Sequence, residues 1–498
     1  MKKVIFIKNT LILSASALIL RLAGVAFKIW LSARIGSEAI GLYQVLMSVY
    51  IFAGSFASSG ISTAVTRLST EALIEGGNVR RVVNRGIAVT FFAATVTFIS
   101  LFFGADLIAV HFIGDARAAL PCRFMSLGLI FMGICSCLRG YFLARRSALS
   151  SSVSQIIEQI VRIVVISVLI NRFGKNSVTA AICAIVIGDA VAEASSALFL
   201  WILYRLDVMG REDNSFAGDG TTKKMLGIAL PISAGRYLST LLRTSESSAV
   251  PRLLCRYGYS SAEALSLFGA LRGMALPLLL FPSAVLSAVS LLLIPELSEA
   301  RTKGGTPAVR NTVSSVLKIT TLLAFIVGAV FWFCGESLAM LLYGDASVGK
   351  CVKLLAPLTP LMYIDSISDG MLKGLDKQSA AFRYAVTDSG MRLLLVFLIL
   401  PRYGFSGFIF IMYISNILTA VLHFSLLSKT AELKLNVTEF LILPLLYSIS
   451  ICAILSVALP LLSLSLFVYV IAFCALSAGL YLLALHFSGL ITRKKLCL

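Results

Sequence analysis

Apolar runs long enough to cross the roughly 30 Å hydrocarbon core of a bilayer, at about 1.5 Å per helical residue, recur along the whole chain with short polar stretches between them. They predict fourteen membrane-spanning helices, at 10–33, 41–65, 86–110, 121–143, 151–171, 178–203, 225–249, 263–294, 312–334, 354–373, 381–400, 404–427, 438–460 and 464–488. The first run follows Met1-Lys2-Lys3 and carries small residues from Ser14 to Ala17, which is the outline of a secretory leader. Its apolar character continues to Ala33 with Arg21 and Lys28 embedded, so it predicts a retained first helix.

Composition strengthens the picture. Of 498 residues 58% are hydrophobic and 13% charged, where a soluble protein carries about a quarter charged residues, and the mean hydropathy is +0.93. The expected class is an all-α polytopic membrane protein.

An internal repeat organises the spans. Residues 136–174 lie over 366–404 without a gap, at an offset of 230, pairing Gly140 with Gly370, Glu158 with Asp388, Arg162 with Arg392, Arg172 with Arg402 and Gly174 with Gly404. At an offset of 215, Arg21 and Lys28 of the first span return as Arg236 and Arg243 of the seventh. Each repeat holds six spans, an even number, so both enter the membrane from the same side and are related by an axis along its normal, as in carriers that alternate access to a site between halves. The predicted organisation is a six-helix lobe at 1–222, a second at 223–432, and two appended helices with a tail at 433–498.

The 43 lysines and arginines outnumber 24 acids, an excess that in a soluble chain points to nucleic acid. Here its placement reads as topology: 24 fall in the loops on the side of the N-terminus and ten in the opposite loops, which predicts both termini in the cytoplasm. The ten cysteines form no CxxC pair and His111, His423 and His486 are dispersed, so neither a disulfide framework nor a metal or cofactor site is expected.

Ionisable residues within spans are functional candidates because burial in lipid is costly, about 2.5–3.5 kcal/mol at mid-bilayer on insertion scales. Glu158 with Arg162, and Asp388 with Arg392, are four apart on one helix face and read as structural ion pairs. Arg21, Lys28, Arg236, Arg243 and Arg272 have at most one acid at helical spacing, Glu246 after Arg243. Together they predict a cationic interior suited to an anionic substrate, since the guanidinium fork fits phosphate or carboxylate. Asp189, Glu193, Asp365 and Asp369 are candidates for ion coupling or for pairing with those cations. No nucleophile triad, metal cluster or phosphate-cradling glycine loop accompanies them, which argues for a transporter and against an enzyme.

Four stretches carry a family resemblance: LRLAGVAFKIWLSARIG of the first span, EAIGLYQ after it, LRGYFLARRSALSSSVSQIIEQIVRI of the fourth and fifth, and RGMALPLLLFPSAVLSAVSLLLIPELSEA of the eighth. Through them the chain resembles flippases of the multidrug/oligosaccharidyl-lipid/polysaccharide exporter superfamily, most closely the stage V sporulation protein B group related to lipid II flippases. The resemblance implies a bacterial plasma-membrane protein whose cavity arginines engage the pyrophosphate of an undecaprenyl-linked cell-wall precursor. Arg21 and Arg272 match such arginines on the first and eighth helices. Lys28 falls one residue beyond the family's R-x-x-G-x-x-R spacing and the second span has no arginine, which leaves the head group open. The resemblance also implies a polyprenyl-linked sugar as partner, membrane lipids around a groove in Phe440 to Leu485, and contact with cell-wall synthases. A cation-coupled multidrug exporter of the same superfamily, a polysaccharide repeat-unit flippase and a membrane scaffold for cell-wall enzymes are the alternatives.

Overall fold

The computed structural model describes residues 2–58, 60–75, 77–174, 177–208, 221–283, 286, 297, 305–433 and 436–490, with side chains from Ser16 onward except at 17 and 148. Pro295, the far part of the 263–294 span, and the loop cations Lys175, Arg211, Arg301, Lys303, Lys434 and Arg493 to Lys495 lie outside the described residues. Among the described residues the protein is helical, with no strand. In a bilayer this follows from the backbone, which can satisfy its N–H and C=O groups within one helical segment and finds no water to do so otherwise.

Packing divides the described chain into two compact units, Met1–Phe27 with Glu38–Ser266, and Lys28–Ser37 with Leu267–Leu498. The first unit uses α1 (Lys2–Ser58), α2 (Ile61–Glu75), α3 (Val79–Phe103), α4 (Gly128–Ala144), α5 (Ala148–Phe173), α6 (Val178–Val208) and α7 (Thr221–Tyr257). Its core joins Val65 and Leu68 of α2, Val83 of α3, Leu138 and Tyr141 of α4, Leu200 and Tyr204 of α6, and Met225 and Ala229 of α7. In the second unit α8 (Gly305–Tyr343), α9 (Ala346–Leu355), α10 (Thr359–Gly374), α11 (Gln378–Ala431), α12 (Leu443–Ala458) and α13 (Leu466–Phe487) follow. There Leu322 and Ile326 of α8 close on Cys452 and Leu455 of α12 and on Phe473 and Tyr481 of α13.

Eleven helical segments among the described residues are long and apolar enough to cross a membrane, and two of them, Leu18–Glu75 with 58 residues and Gln378–Ala431 with 54, each cover two predicted spans. A glycine breaks each: Gly36 at φ 79°, ψ 170° in α1, and Gly404 at φ 55°, ψ −139°, three residues past Pro401, in α11. Both combinations are open to glycine and costly for any residue with a Cβ. The tenth predicted span, 354–373, falls on α10, whose 16 residues span only about 24 Å. It is extended backwards by the turn Ala356–Leu358 and by α9.

α7 approaches α1 and α2 closely. Phe56 stacks on Tyr237 with ring centroids 4.4 Å apart, and Thr244 donates to the Ser48 carbonyl at 2.8 Å. At Gly60, φ +71°, a side-chain carbon would stand 2.3 Å from the Ala229 carbonyl oxygen and 2.7 Å from Ser233 Oγ. A Gly60→Ala variant is therefore expected to lose about 1–3 kcal/mol through backbone strain and overpacking, read as a lower midpoint of thermal unfolding in detergent; an unchanged midpoint would mean that α7 does not pack here.

Candidate functional site

The five cations singled out from sequence all lie on helices rich in apolar residues. In the first unit Arg21 is exposed on α1, and Arg236 and Arg243 are exposed on α7 near Leu238 and Leu241, also exposed. In the second unit Lys28 and Arg272 are half-buried. Arg272 sits on a π-helical stretch, Gly269–Ala275, where the Leu276 N–H donates to the Leu271 carbonyl five residues back. Pro277 follows at the start of the next helical stretch; it has no N–H to give, so the ordinary i→i−4 ladder is interrupted there. Such single π turns widen a helix locally and are frequent at functional positions.

The acids are distributed differently. Arg162 on α5 donates from Nη2 to Glu158 at 2.8 Å and from Nε to Asp189 of α6 at 2.8 Å. Arg139 of α4 reaches the other Glu158 oxygen at 2.7 Å and Ser196 at 3.0 Å. The Tyr43 hydroxyl donates to Asp189 at 3.0 Å and that of Tyr50 to Glu193 at 2.6 Å, both from α1. Two arginines, three carboxylates and two phenols thus join four helices of one unit. Gly128 makes room, since a Cβ there would meet the Tyr50 hydroxyl at 2.5 Å and Glu193 Oε2 at 3.0 Å.

In the second unit Asp365 of α10 lies 2.7 Å from Nδ1 of buried His423 on α11, with Tyr384 against the imidazole at 5.7 Å. Asp369 pairs with Lys373 at 2.5 Å. Asp388 accepts from Ser415 at 2.6 Å, and Arg392 is half-buried one turn on. Three of the four proposed coupling acids, Asp189, Asp365 and Asp369, therefore have an arginine, histidine or lysine against them. Glu193 is held by a phenol.

Tyr43, Tyr50 and Arg139 are absent from the candidates the sequence offers, and His423 figures there only as a dispersed histidine. Arg139 was visible as a cation inside an apolar span, but the tyrosines carry no signal, because their partners are 146 and 143 residues away. Removing the Tyr50 hydroxyl leaves a half-buried carboxylate oxygen without its donor, so Tyr50→Phe is expected to cost about 1–3 kcal/mol. Glu193→Gln, which still accepts the phenol proton, is expected to cost less. Denaturant unfolding of both in mixed micelles checks the order, and equal losses would exclude this hydrogen bond as the cause. No group of three or more His, Cys, Asp or Glu among the described residues is placed to hold a metal ion.

Residues 6–301, more than half of the chain, match the family described as polysaccharide biosynthesis protein. The chain belongs to that family. Within the reach of the polysaccharide biosynthesis family, stage V sporulation protein B of Bacillus subtilis (strain 168) is 23% identical over 449 residues, covering 88% of this chain and 87% of the relative. The lipid II flippase MurJ of the same organism is 20% identical over 409 residues, covering 75% and 74%. Among solved structures, lipid II flippase MurJ in an inward closed conformation superposes with a TM-score of 0.72 at 15% identity, over 97% of this chain and all of that one. An inward-facing multidrug resistance MATE family transporter of the MOP superfamily gives 0.64 at 14% identity, over 85% and 98%. The helical membrane architecture and the kinship expected from the four sequence stretches both stand.

Proposed function

We propose that this chain is a flippase that carries an undecaprenyl-pyrophosphate-linked cell-wall precursor from the inner to the outer leaflet of the bacterial plasma membrane by alternating access. The reading makes it a transporter and not an enzyme. The observation that supports it most is that Arg21, Arg236 and Arg243, on helices apolar enough to span a membrane, are exposed and not packed away. A guanidinium on a membrane-spanning helix is tolerated where it meets water or an anion. Arg272 adds a cation at a π turn, the local geometry in which a side chain can be re-aimed without ending the helix.

In this reading Arg21 and Arg272 hold the pyrophosphate by forked, charge-assisted hydrogen bonds, and Lys28, Arg236 and Arg243 offset its remaining charge. The lobes are the repeats at 1–222 and 223–432, with 433–498 contacting the polyprenyl tail, and both termini are cytoplasmic. Glu158 with Arg162 and Asp388 with Arg392 hold their bundles; of the acids, Glu193 has the partner that best leaves a proton or cation site available.

The test is transfer of fluorescent lipid II across the bilayer of vesicles carrying the purified protein. Transfer above protein-free vesicles is expected. Transfer only of a different polyprenyl-linked sugar would keep the flippase and change the head group; efflux of cationic drugs with no lipid transfer would replace it with the exporter.

A further inference from the structure

His423 of the second unit stands apart from the groups assigned to substrate. It lies on the part of α11 beyond the break at Gly404, and its side chain is only 6% exposed. Nδ1 is 2.7 Å from Oδ1 of Asp365 on α10. An ionised carboxylate only accepts, so in the neutral ring Nδ1 carries the hydrogen and Nε2 the lone pair. Nε2 is buried and has no hydrogen-bond partner among the described residues. The part of α11 before the break supplies the Tyr384 ring, 5.7 Å away, and the Ala381 carbonyl, which acts on the imidazole without bonding to Nε2. A buried acceptor with no donor is costly, and a proton on Nε2 removes it.

The acids of α10 lead to this nitrogen from water. α10 ends at Gly374, so Lys373 is at its end while Asp369 and Asp365 lie about 8 and 14 Å inside, one turn apart on one face. Exposure falls in the same order, from 51% for Lys373 and 33% for Asp369 to 27% for Asp365 and 6% for His423. Lys373 pairs with Asp369, and Asp369 joins Asp365 in acting on the ring. On α11 itself Arg383 is exposed beside Tyr384, and Asp388 accepts from Ser415. α8 and the π turn Thr438–Ile442 bring Lys318 and Glu439, which pair with each other at 3.9 Å. Holding two helices together here does not require a titrating group. At the matching positions of the first unit, 230 residues earlier, the Cys135 thiol meets the Glu193 backbone carbonyl.

We propose that His423 is a proton-binding site of the second unit: one proton, arriving from the end of α10 past Asp369 and Asp365, is taken at Nε2, and the resulting imidazolium–carboxylate pair ties α10 to the far part of α11. A charge-assisted hydrogen bond is roughly twice as strong as a neutral one, and imidazole is the side chain that changes charge between about pH 5 and 8. The occupied site therefore slows any step in which these helices shift against each other. That consequence for transport rests on the flippase reading; the site itself does not.

The chain has three histidines, and His111 and His486 are exposed, so His111→Gln/His486→Gln leaves His423 as the single reporter. Nitrogen NMR of this variant, labelled with ¹⁵N-histidine in mixed micelles, is recorded from about pH 5 to 9. A reversible one-proton transition is expected, with the alkaline form carrying its hydrogen on Nδ1. No transition, or an alkaline form protonated on Nε2, would overturn the site. Transfer of fluorescent lipid II in vesicles is followed over the same range. The wild type is expected to slow by about fivefold or more from the alkaline to the acid side, with the spectroscopic midpoint, and His423→Gln to lose that dependence. Asp365→Asn keeps an acceptor for the Nδ1 hydrogen without the charge and should lose it too; it replaces His423→Gln if the unfolding midpoint shows that variant misfolded. The same pH dependence in these variants as in the wild type would overturn the link to transport. A wild type that transfers no lipid II at any pH would remove lipid II as the substrate, while the spectra still support or overturn the proton site.

Discussion

Replacing Arg21 and Arg272 together by alanine is expected to reduce lipid transfer in reconstituted vesicles by about 10²–10⁴-fold while leaving the protein folded. On the proposed reading each arginine would contribute a charge-assisted contact to the pyrophosphate worth about 1.5–3 kcal/mol, and every 1.4 kcal/mol is about tenfold. The fold should survive because Arg21 is exposed and Arg272 only half-buried, and the unfolding midpoint of the variant in detergent checks this. Lysine at both positions keeps the charge and loses the fork, so it should restore part of the rate. Transfer by the alanine variant at the wild-type rate would remove these residues from the substrate site. Transfer absent from the wild type under the same conditions would instead remove lipid II as the substrate.

The largest effect on stability is expected at Arg162. Its guanidinium is divided between Glu158 and Asp189, and the three side chains are only 25%, 17% and 17% exposed. Arg162→Met leaves two acids facing each other in a poorly hydrated setting, with Arg139 still on Glu158 and Tyr43 still on Asp189, and breaking a buried pair in this way costs about 3–5 kcal/mol. The double variant Arg162→Met/Asp189→Asn removes the uncompensated charge while Glu158 stays paired with Arg139, and should recover most of that loss, because a buried network is often worth no more than neutral groups of the same shape. Unfolding in mixed micelles gives both numbers. A double variant less stable than Arg162→Met alone would mean that the carboxylates are held by something other than charge.

The repeat makes the same positions carry different chemistry. Continuing the offset of 230 beyond both ends of the matched stretch sets Glu193 of α6 against His423 of α11, and Cys135 of α4 against Asp365 of α10. In one unit the Cys135 thiol reaches the Glu193 backbone carbonyl, and in the other Asp365 meets the His423 ring. The helix pairing is thus retained while the partner chemistry is rewritten, from phenol and carboxylate to imidazole and carboxylate.

What the sequence determined by itself is what depends on short stretches of chain. Membrane spans follow from local hydropathy, since each must satisfy its own backbone in lipid; the Glu158–Arg162 contact follows from helical spacing; and the family followed from four stretches that need no folding to be compared. The tertiary structure alone decided which acid met which cation. Asp189 went to Arg162 and Tyr43, Glu193 to Tyr50, and Asp365 to His423, through contacts 27 to 146 residues apart. It also decided that two of the longest helices are broken at Gly36 and Gly404 and that the tenth span is a short helix. Such choices are made by packing between distant helices, where a side chain's partner is fixed by which faces meet, and that information is spread over the whole chain.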